Sequence, residues 1–407
     1  MSRIKLGVDV LSAARQRVCV AFDNFEKVCV SFSGGKDSTV MLHLVMDEAI
    51  KRRRKVAVLL IDLEAQYNLT ISHSLHCYKQ YKDSIEPFWI SLPLHLRNAV
   101  SVYDPFWICW DPEAKESWVR NPPKLAVTDE NYFPFFQRGM EFEEFVPEFA
   151  QWYSNGVPTA FFVGIRTVES FTRHLAIASR HKGTFEGHRF TTTVCENSAN
   201  FYPIYDWATS DIWAYHAHYP EVSYNHLYDR MHLAGLSIAQ MRICQPYGDD
   251  QRKGLWLFHL IEPETWGKVV ARVNGANSGS LYSKEHGNIN GYRKIAKPDH
   301  LTWQQFAHRL VVSMPQETKE HYETKIGLFI SWWKERGYPE GIPDEGNYKL
   351  EIAKRIPSWR RVCKTILRND FWCKGLGFPP QKSSGYSAYL ALMKRKKSEA
   401  KLQNASH

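Results

Sequence analysis

Ser33-Gly34-Gly35-Lys36-Asp37-Ser38 is the segment of this chain whose residue types and order are best suited to chemistry. Two adjacent glycines let a backbone turn tightly and come close to an anion. Lys36 adds a mobile positive charge. Asp37 is a candidate ligand for Mg2+, and the hydroxyls of Ser33 and Ser38 can donate to phosphate oxygens. The hexapeptide follows a strand-like run, Lys27 to Phe32, and precedes an apolar helical stretch, Thr39 to Ile50. In that order, unpaired backbone N–H groups and the positive end of a helix dipole face the loop, which makes a phosphate cradle. The Gly-x-x-x-x-Gly-Lys-Ser/Thr spacing of a Walker loop is absent.

A second group of charges follows another apolar strand, Thr159 to Ile165. It reads Gly164-Ile165-Arg166-Thr167-Val168-Glu169-Ser170-Phe171-Thr172-Arg173. Arg166 is predicted at the strand's carboxyl end, on the same rim as the glycine loop. A guanidinium there can grip a phosphate or sulfate bidentately. Arg173 lies one helix face further on, and Glu169 can orient an arginine or cap the first helical turn. The same residues also fit a surface salt-bridge cluster of little energetic weight. None of the eight cysteines forms a Cys-x-x-Cys pair, so neither an iron–sulfur cluster nor zinc is expected, and a reducing cytosol suits the chain. Cys244, near Arg242, is a redox thiolate if exposed and an inert small hydrophobe if buried.

The elements that must position these groups alternate. Helical spacing covers residues 9 to 24, strands are predicted at 27 to 32, 56 to 62 and 88 to 92, and a helix at 69 to 82. Strands alternating with helices predict an α/β fold with a parallel sheet, whose ligands bind at the carboxyl ends of the strands. The aromatic-rich stretch 101–137 breaks the alternation. Such side chains can stack bases, but an insertion packing on itself is the expectation. A helix is predicted over Phe142 to Tyr153 with a kink or break at Pro147, and another from Val168 to about His181.

After residue 200 the pattern turns mostly helical, at 210–218, 224–234, 251–261, 264–273, 302–312, 317–335, 357–368 and 386–397. Asn274 to Ser280 reads as a loop or boundary. These features divide the chain into residues 1–250, 251–395 and a basic, polar tail, 396–407, expected to be disordered. The formal charge of +9 makes a polyanion a plausible partner. Basic runs at 51–55 and 394–397 suit DNA, or a solvated helix end and a tail. The longest aliphatic run, Val56 to Ile61, is far too short to span a bilayer, and Arg15 and Arg17 interrupt any secretory apolar segment. A cytoplasmic protein without a membrane partner is expected.

Taken together the motifs resemble the phosphoadenosine phosphosulfate (PAPS) reductase family of the PP-loop superfamily, whose members have an adenine nucleotide alpha-hydrolase-like fold. Ser33 to Ser38 looks like the PP-loop. Gly164 to Arg173 resembles the family's Gly-x-Arg-x-x-Glu-Ser-x-x-Arg element. Tyr202-Pro203-Ile204-Tyr205-Asp206-Trp207, then Asp211-Ile212-Trp213, resembles a later segment, and Asn225-His226-Leu227-Tyr228 the one after it. The resemblance covers roughly residues 25 to 250. It implies ATP, or a related adenine nucleotide such as PAPS, held by Ser33, Gly34, Gly35, Lys36, Asp37 and Ser38, with Asp62, Gly164, Arg166, Glu169 and Ser170 around it. Asp62, at the end of the second strand, suits ribose hydroxyls, Mg2+ placement or a plain helix cap. Lys36, Asp37, Arg166 and Arg173 would carry the chemistry, with Mg2+ on Asp37.

Many members cleave ATP between the alpha and beta phosphates and leave AMP on an acceptor. Reductases of the family carry Cys-Gly-Leu/Ile-His, whereas this chain has Cys373-Lys374-Gly375-Leu376, which ranks sulfonucleotide reduction behind ATP cleavage. The region beyond 275 resembles a bacterial subgroup that includes the immunoglobulin-binding-regulator A type. That likeness implies prophage co-activation, a ParB/sulfiredoxin-like partner, and links to DNA phosphorothioation and phage defence. A nucleotide-sensing, DNA-associated regulator with little turnover is the other expectation.

Overall fold

The structure, a computed structural model, describes residues 7–101, 103–179, 182–238, 240–244, 246–249, 254–275 and 296–378. It divides into two units. The first comprises Met1–Leu94, Cys109–Ile243 and Leu260–Thr265; the second comprises His95–Ile108, Cys244–His259 and Trp266–His407, each as far as it is described. The units interleave along the chain.

The first unit is built on a six-stranded sheet. Its strands are β1 (Lys27–Ser31), β2 (Val56–Ile61), β3 (Ile85–Ile90), β6 (Thr159–Val163), β7 (Thr191–Cys195) and β8 (Ser198–Phe201), in the spatial order β3-β2-β1-β6-β8-β7. Every neighbouring pair is parallel except β7 with β8. β1 and β2 are buried nearly end to end, which is why they read as unbroken apolar runs. Helices α2 (Lys36–Lys51) and α3 (Asn68–Gln80) form the first two crossovers, and α1 (Val10–Asn24), which precedes β1, packs with them. Their apolar faces meet the sheet in a core that includes Ala14, Val18, Val40, Met41, Val45, Val30, Val58 and Phe162. From β1 the chain steps outward to β2 and β3, then returns to the other side of β1 as β6. That reversal opens a crevice at the carboxyl ends of β1 and β6, where ligands bind in such sheets.

Three expectations change. Helix α4 (Phe142–Ser154) runs unbroken through Pro147. The proline removes one backbone hydrogen bond, but a Glu141/Glu144 capping box starts the helix and Phe145 and Phe149 are buried along it. Helix α5 begins only at Phe171 and ends at Ala178, because the Ser170 hydroxyl accepts from the Arg173 N–H and sets the start there. The second unit, apart from its helices, contains the two-stranded hairpin β4 (His95–Arg97) and β5 (Phe106–Ile108), of which β5 falls inside the aromatic stretch. The rest of that stretch packs on its own unit: the Phe133 ring lies 4.9 to 6.0 Å from those of Trp152, Phe145 and Phe149.

In the second unit the helices Trp303–Val312, Gln316–Lys334 and Trp359–Leu367 share a core of Trp303, Val311, Tyr322, Phe329, Trp359 and Val362. The helix expected at 386–397 and the basic run 394–397 lie outside the described residues. No helix among the described residues is long and apolar enough to cross a membrane.

Candidate functional site

The loop after β1 is built around one glycine. Gly34 has φ +70, and a Cβ there would stand 2.6 Å from Ser74 Oγ and 2.9 Å from Thr70 Cγ2, both on α3. Only glycine satisfies the left-handed backbone and that contact together. Asn225 Nδ2 donates to the Gly34 carbonyl and to Thr70 Oγ1, both at 3.0 Å, and so ties the loop to α3. Gly35 is the N-cap of α2 without a side-chain cap, so the N–H groups of the first turn face the loop. One of them, on Lys36, donates to the Tyr228 hydroxyl at 3.1 Å. Ser33 and Ser38 close the loop through their hydroxyls, 3.0 Å apart, and Ser38 Oγ donates to the Gly35 carbonyl.

Beside the loop stands the end of β6. Gly164 lets it approach closely: a Cβ there would lie 3.2 Å from Ser38 Cα. Arg166 follows, 2% exposed, with Nε donating to Asp37 Oδ1 at 2.5 Å and Nη1 to Thr209 Oγ1 at 3.2 Å. Thr209 opens helix α6 (Thr209–His218). Lys36 Nζ lies 3.1 Å from Asp37 Oδ2 and 5.3 Å from the centre of the Tyr228 ring. Glu169 accepts from the Arg166 N–H and pairs with Arg173, whose side chain is largely exposed. The glycine loop, Lys36, Asp37, Gly164, Arg166 and Glu169 thus form one cluster, and Ser170 serves as a helix cap.

Asp62 is placed differently. It is fully buried, accepts from Trp89 Nε1 at 2.8 Å and from the Glu64 N–H at 3.0 Å, and pairs with Arg120. Glu64, also fully buried, accepts from the N–H groups of Trp110 and Val119. These carboxylates fasten residues 109–120 to the end of β2. Cys244 is half-buried and belongs to the second unit. Cys373 is fully buried, and burial pushes its thiol up to about 12. The basic run 51–55 is partly consumed inside the fold: Arg52 pairs with Asp23 and Glu48, and Arg54 donates to the carbonyls of Phe22, Phe25 and Glu26.

Mg2+ meets an occupied carboxylate at Asp37: Oδ1 accepts from Arg166 Nε and Oδ2 faces Lys36 Nζ. Next to α2 lies a set of buried histidines. His73 Nε2 is 3.0 Å from Thr39 Oγ1, and His43 is bonded to the Tyr81 hydroxyl. Burial lowers His43 to about 3, and His73 and His216 to about 4. Thr70, Ser74, Thr209 and the role of Tyr228 were not assigned from the sequence. The only trace of them there is the small hydroxyl pair four residues apart on one face of α3.

A model of the phosphoadenosine phosphosulfate reductase domain matches residues 27–89 and 146–249, and a model of a domain of unknown function, DUF3440, matches 235–345 and 339–386. The chain is 44% identical over 400 residues to the uncharacterized protein YbdN of Escherichia coli K12, covering 98% of this chain and 97% of that one. Among solved structures, FMN adenylyltransferase of Candida glabrata with FAD and inorganic pyrophosphate is 13% identical at a TM-score of 0.31, over 54% of this chain and 59% of that one. The PAPS reductase of Candida auris in a phosphate complex is 14% identical at 0.30, over 58% and 89%. Likeness at that level says nothing of the reaction. The chain belongs to the same family as YbdN, and in it a phosphoadenosine phosphosulfate reductase domain is followed by the DUF3440 domain.

Proposed function

We propose that this protein binds ATP at the glycine loop and opens it between the alpha and beta phosphates, leaving AMP on an acceptor. The observation that carries the reading is the built cradle. Gly34 is held in a conformation and a space that exclude a side chain, at the N-terminus of a 16-residue helix, with Lys36 beside it. Backbone N–H groups and one ammonium are what a polyphosphate needs. In the reaction an acceptor oxygen attacks the alpha phosphorus, the bridging bond to the beta phosphate breaks, and pyrophosphate leaves. The chain's part is to hold the phosphates in line and stabilise the departing charge, for which Lys36 is the mobile cation at the loop.

Thermal melting with ATP, AMP or PAPS tests the site. A ligand at a hundred times its dissociation constant stabilises by about 2.7 kcal/mol. Product analysis tests the bond cleaved: AMP and pyrophosphate support the reading, and ADP alone ends it. A sulfonucleotide reductase requires an accessible thiolate. Cys373 is sealed, so the half-buried Cys244 is the residue to change, and thioredoxin-dependent sulfite release that vanishes in Cys244→Ser would move the assignment.

A second reading, association with DNA, has one observation behind it. In the second unit Lys349, Lys354, Arg355 and Lys374 are exposed, Lys354 Nζ donates to the Lys374 carbonyl, and the Tyr348 ring lies 4.4 Å from Lys364 Nζ. Titration with duplex DNA at low and high salt decides it, because phosphate contacts weaken steeply with ionic strength. Roles in prophage co-activation, phage defence or DNA sulfur chemistry, and a ParB/sulfiredoxin-like partner, have only the family resemblance behind them.

A further inference from the structure

Asp37 is the one acidic residue in the first turn of α2. Its oxygens face two different cations, Oδ1 the Arg166 Nε at 2.5 Å and Oδ2 the Lys36 Nζ at 3.1 Å. Arg166 is engaged just as fully. Besides Asp37 it reaches Thr209 Oγ1 at 3.2 Å and the Trp207 carbonyl at 3.5 Å, and its Nη2 stands 3.8 Å from Glu169. With 2% of its surface exposed, it cannot take hold of an incoming anion without giving up these partners. Lys36 is less constrained. Among the described residues its one ion pair is with its own neighbour, and its three-donor ammonium can take on a phosphate without leaving Asp37. Mg2+ demands near-ideal octahedral oxygen ligands, and each oxygen of Asp37 already faces a cation that a bound Mg2+ would repel.

We infer that Asp37 and Arg166 are a positioning pair, and that neither Mg2+ nor phosphate binds to them directly. The pair ties the first turn of α2 to the end of β6 and to the start of α6. It also holds the Lys36 ammonium beside the loop, where a phosphate can share it with the carboxylate. The Lys36 part deepens the nucleotide reading and rests on it, whereas the pair itself does not.

The first test uses the full-length protein without ligand. Asp37→Asn, Arg166→Gln and the double variant are melted in parallel. Each single change should lower Tm by several degrees, and the double variant should melt close to the worse single one, because a pair broken once has little left to lose. Independent, additive losses overturn the pair. The second test is calorimetry with AMP and with inorganic pyrophosphate, in EDTA and in Mg2+. Asp37→Asn should weaken binding about tenfold by the same factor in both media, and Lys36→Met should abolish pyrophosphate binding in both. Arg166→Lys, which keeps the charge on Asp37, should recover part of what Arg166→Gln loses. If the ratio of affinities in Mg2+ and EDTA collapses in Asp37→Asn alone, Asp37 is a metal ligand and the inference falls. If wild type binds neither ligand, the nucleotide reading fails, and the melting cycle still upholds or overturns the pair.

Discussion

Substituting alanine for Gly34 isolates what the loop demands of its backbone. At φ +70 an alanine costs about 1–2 kcal/mol for the left-handed conformation. Its Cβ would meet Ser74 Oγ at 2.6 Å and Thr70 Cγ2 at 2.9 Å, an overpacking worth about 1–3 kcal/mol. The sum, about 2–5 kcal/mol, is a large part of a domain's stability. Gly35 is the internal control. Its backbone is ordinary, φ −83, and a Cβ there would find its nearest atoms at 3.4 and 3.5 Å, so alanine should cost about 1 kcal/mol or less. Ser74→Ala separates the two costs, because Ser74 Oγ is buried without a hydrogen-bond partner and its removal should be nearly neutral. In that background Gly34→Ala should recover part of its loss. Urea unfolding followed by far-UV circular dichroism reads all of these without any ligand. Equal effects at Gly34 and Gly35, or no recovery with Ser74→Ala, would refute the reasoning.

Acid should destabilise the first unit early. His43, His73 and His216 are held neutral by burial, at about 3 to 4 against an ordinary value near 6.5. The unfolded chain therefore binds more protons in that window. Stability should be complete above pH 6.5 and fall by roughly 1 kcal/mol per pH unit for each histidine below it, which urea midpoints at pH 7, 6 and 5 will show. Arg120→Ala leaves the Asp62 carboxylate buried without its cation and should cost about 3–5 kcal/mol in the same assay; a loss under about 1 kcal/mol would mean that Asp62 is not charged there. Alkylation at pH 8 read by mass spectrometry should spare Cys77, Cys363 and Cys373, whose thiols burial raises to about 12, until the protein unfolds; rapid labelling of Cys373 in the native protein would reopen the reductase reading.

The loop and the strands on either side of it were legible because each carries its own local signal. β1 and β6 are apolar runs bounded by glycine, and Arg166 follows the second by simple counting. The Asp37–Arg166 pair was not legible, since 129 positions separate its members and nothing in either segment names the other. β4 and β5 are three residues each, too short to show a period. β7 is rich in threonine and, like β8, short, so the pair read as neither strand nor helix. Asp62 sits where a ligand residue would, and only the positions of Trp89 and Arg120 reveal that its oxygens are committed. At Pro147 a local rule lost to the packing of Phe145 and Phe149 on either side of it.

The interleaving of the two units sets an order of events on the ribosome. Residues 95–108 leave the exit tunnel early but belong with partners that begin at Cys244 and continue beyond Trp266. At synthesis rates of about 5–20 residues per second, that hairpin waits roughly seven to thirty seconds, with Phe106 and Trp107 uncovered. The first unit faces the opposite delay. The N–H groups of Asn68 and Leu69 at the start of α3 donate to the Glu262 carboxylate, which lies on a segment made after the sheet is complete. A nascent chain stopped at residue 250 would therefore carry an orphaned hairpin and an uncapped helix, the kind of transiently exposed surface that chaperones shield. Expression of the first 250 residues alone should yield aggregate, where a version ending after the second unit's helices stays in solution.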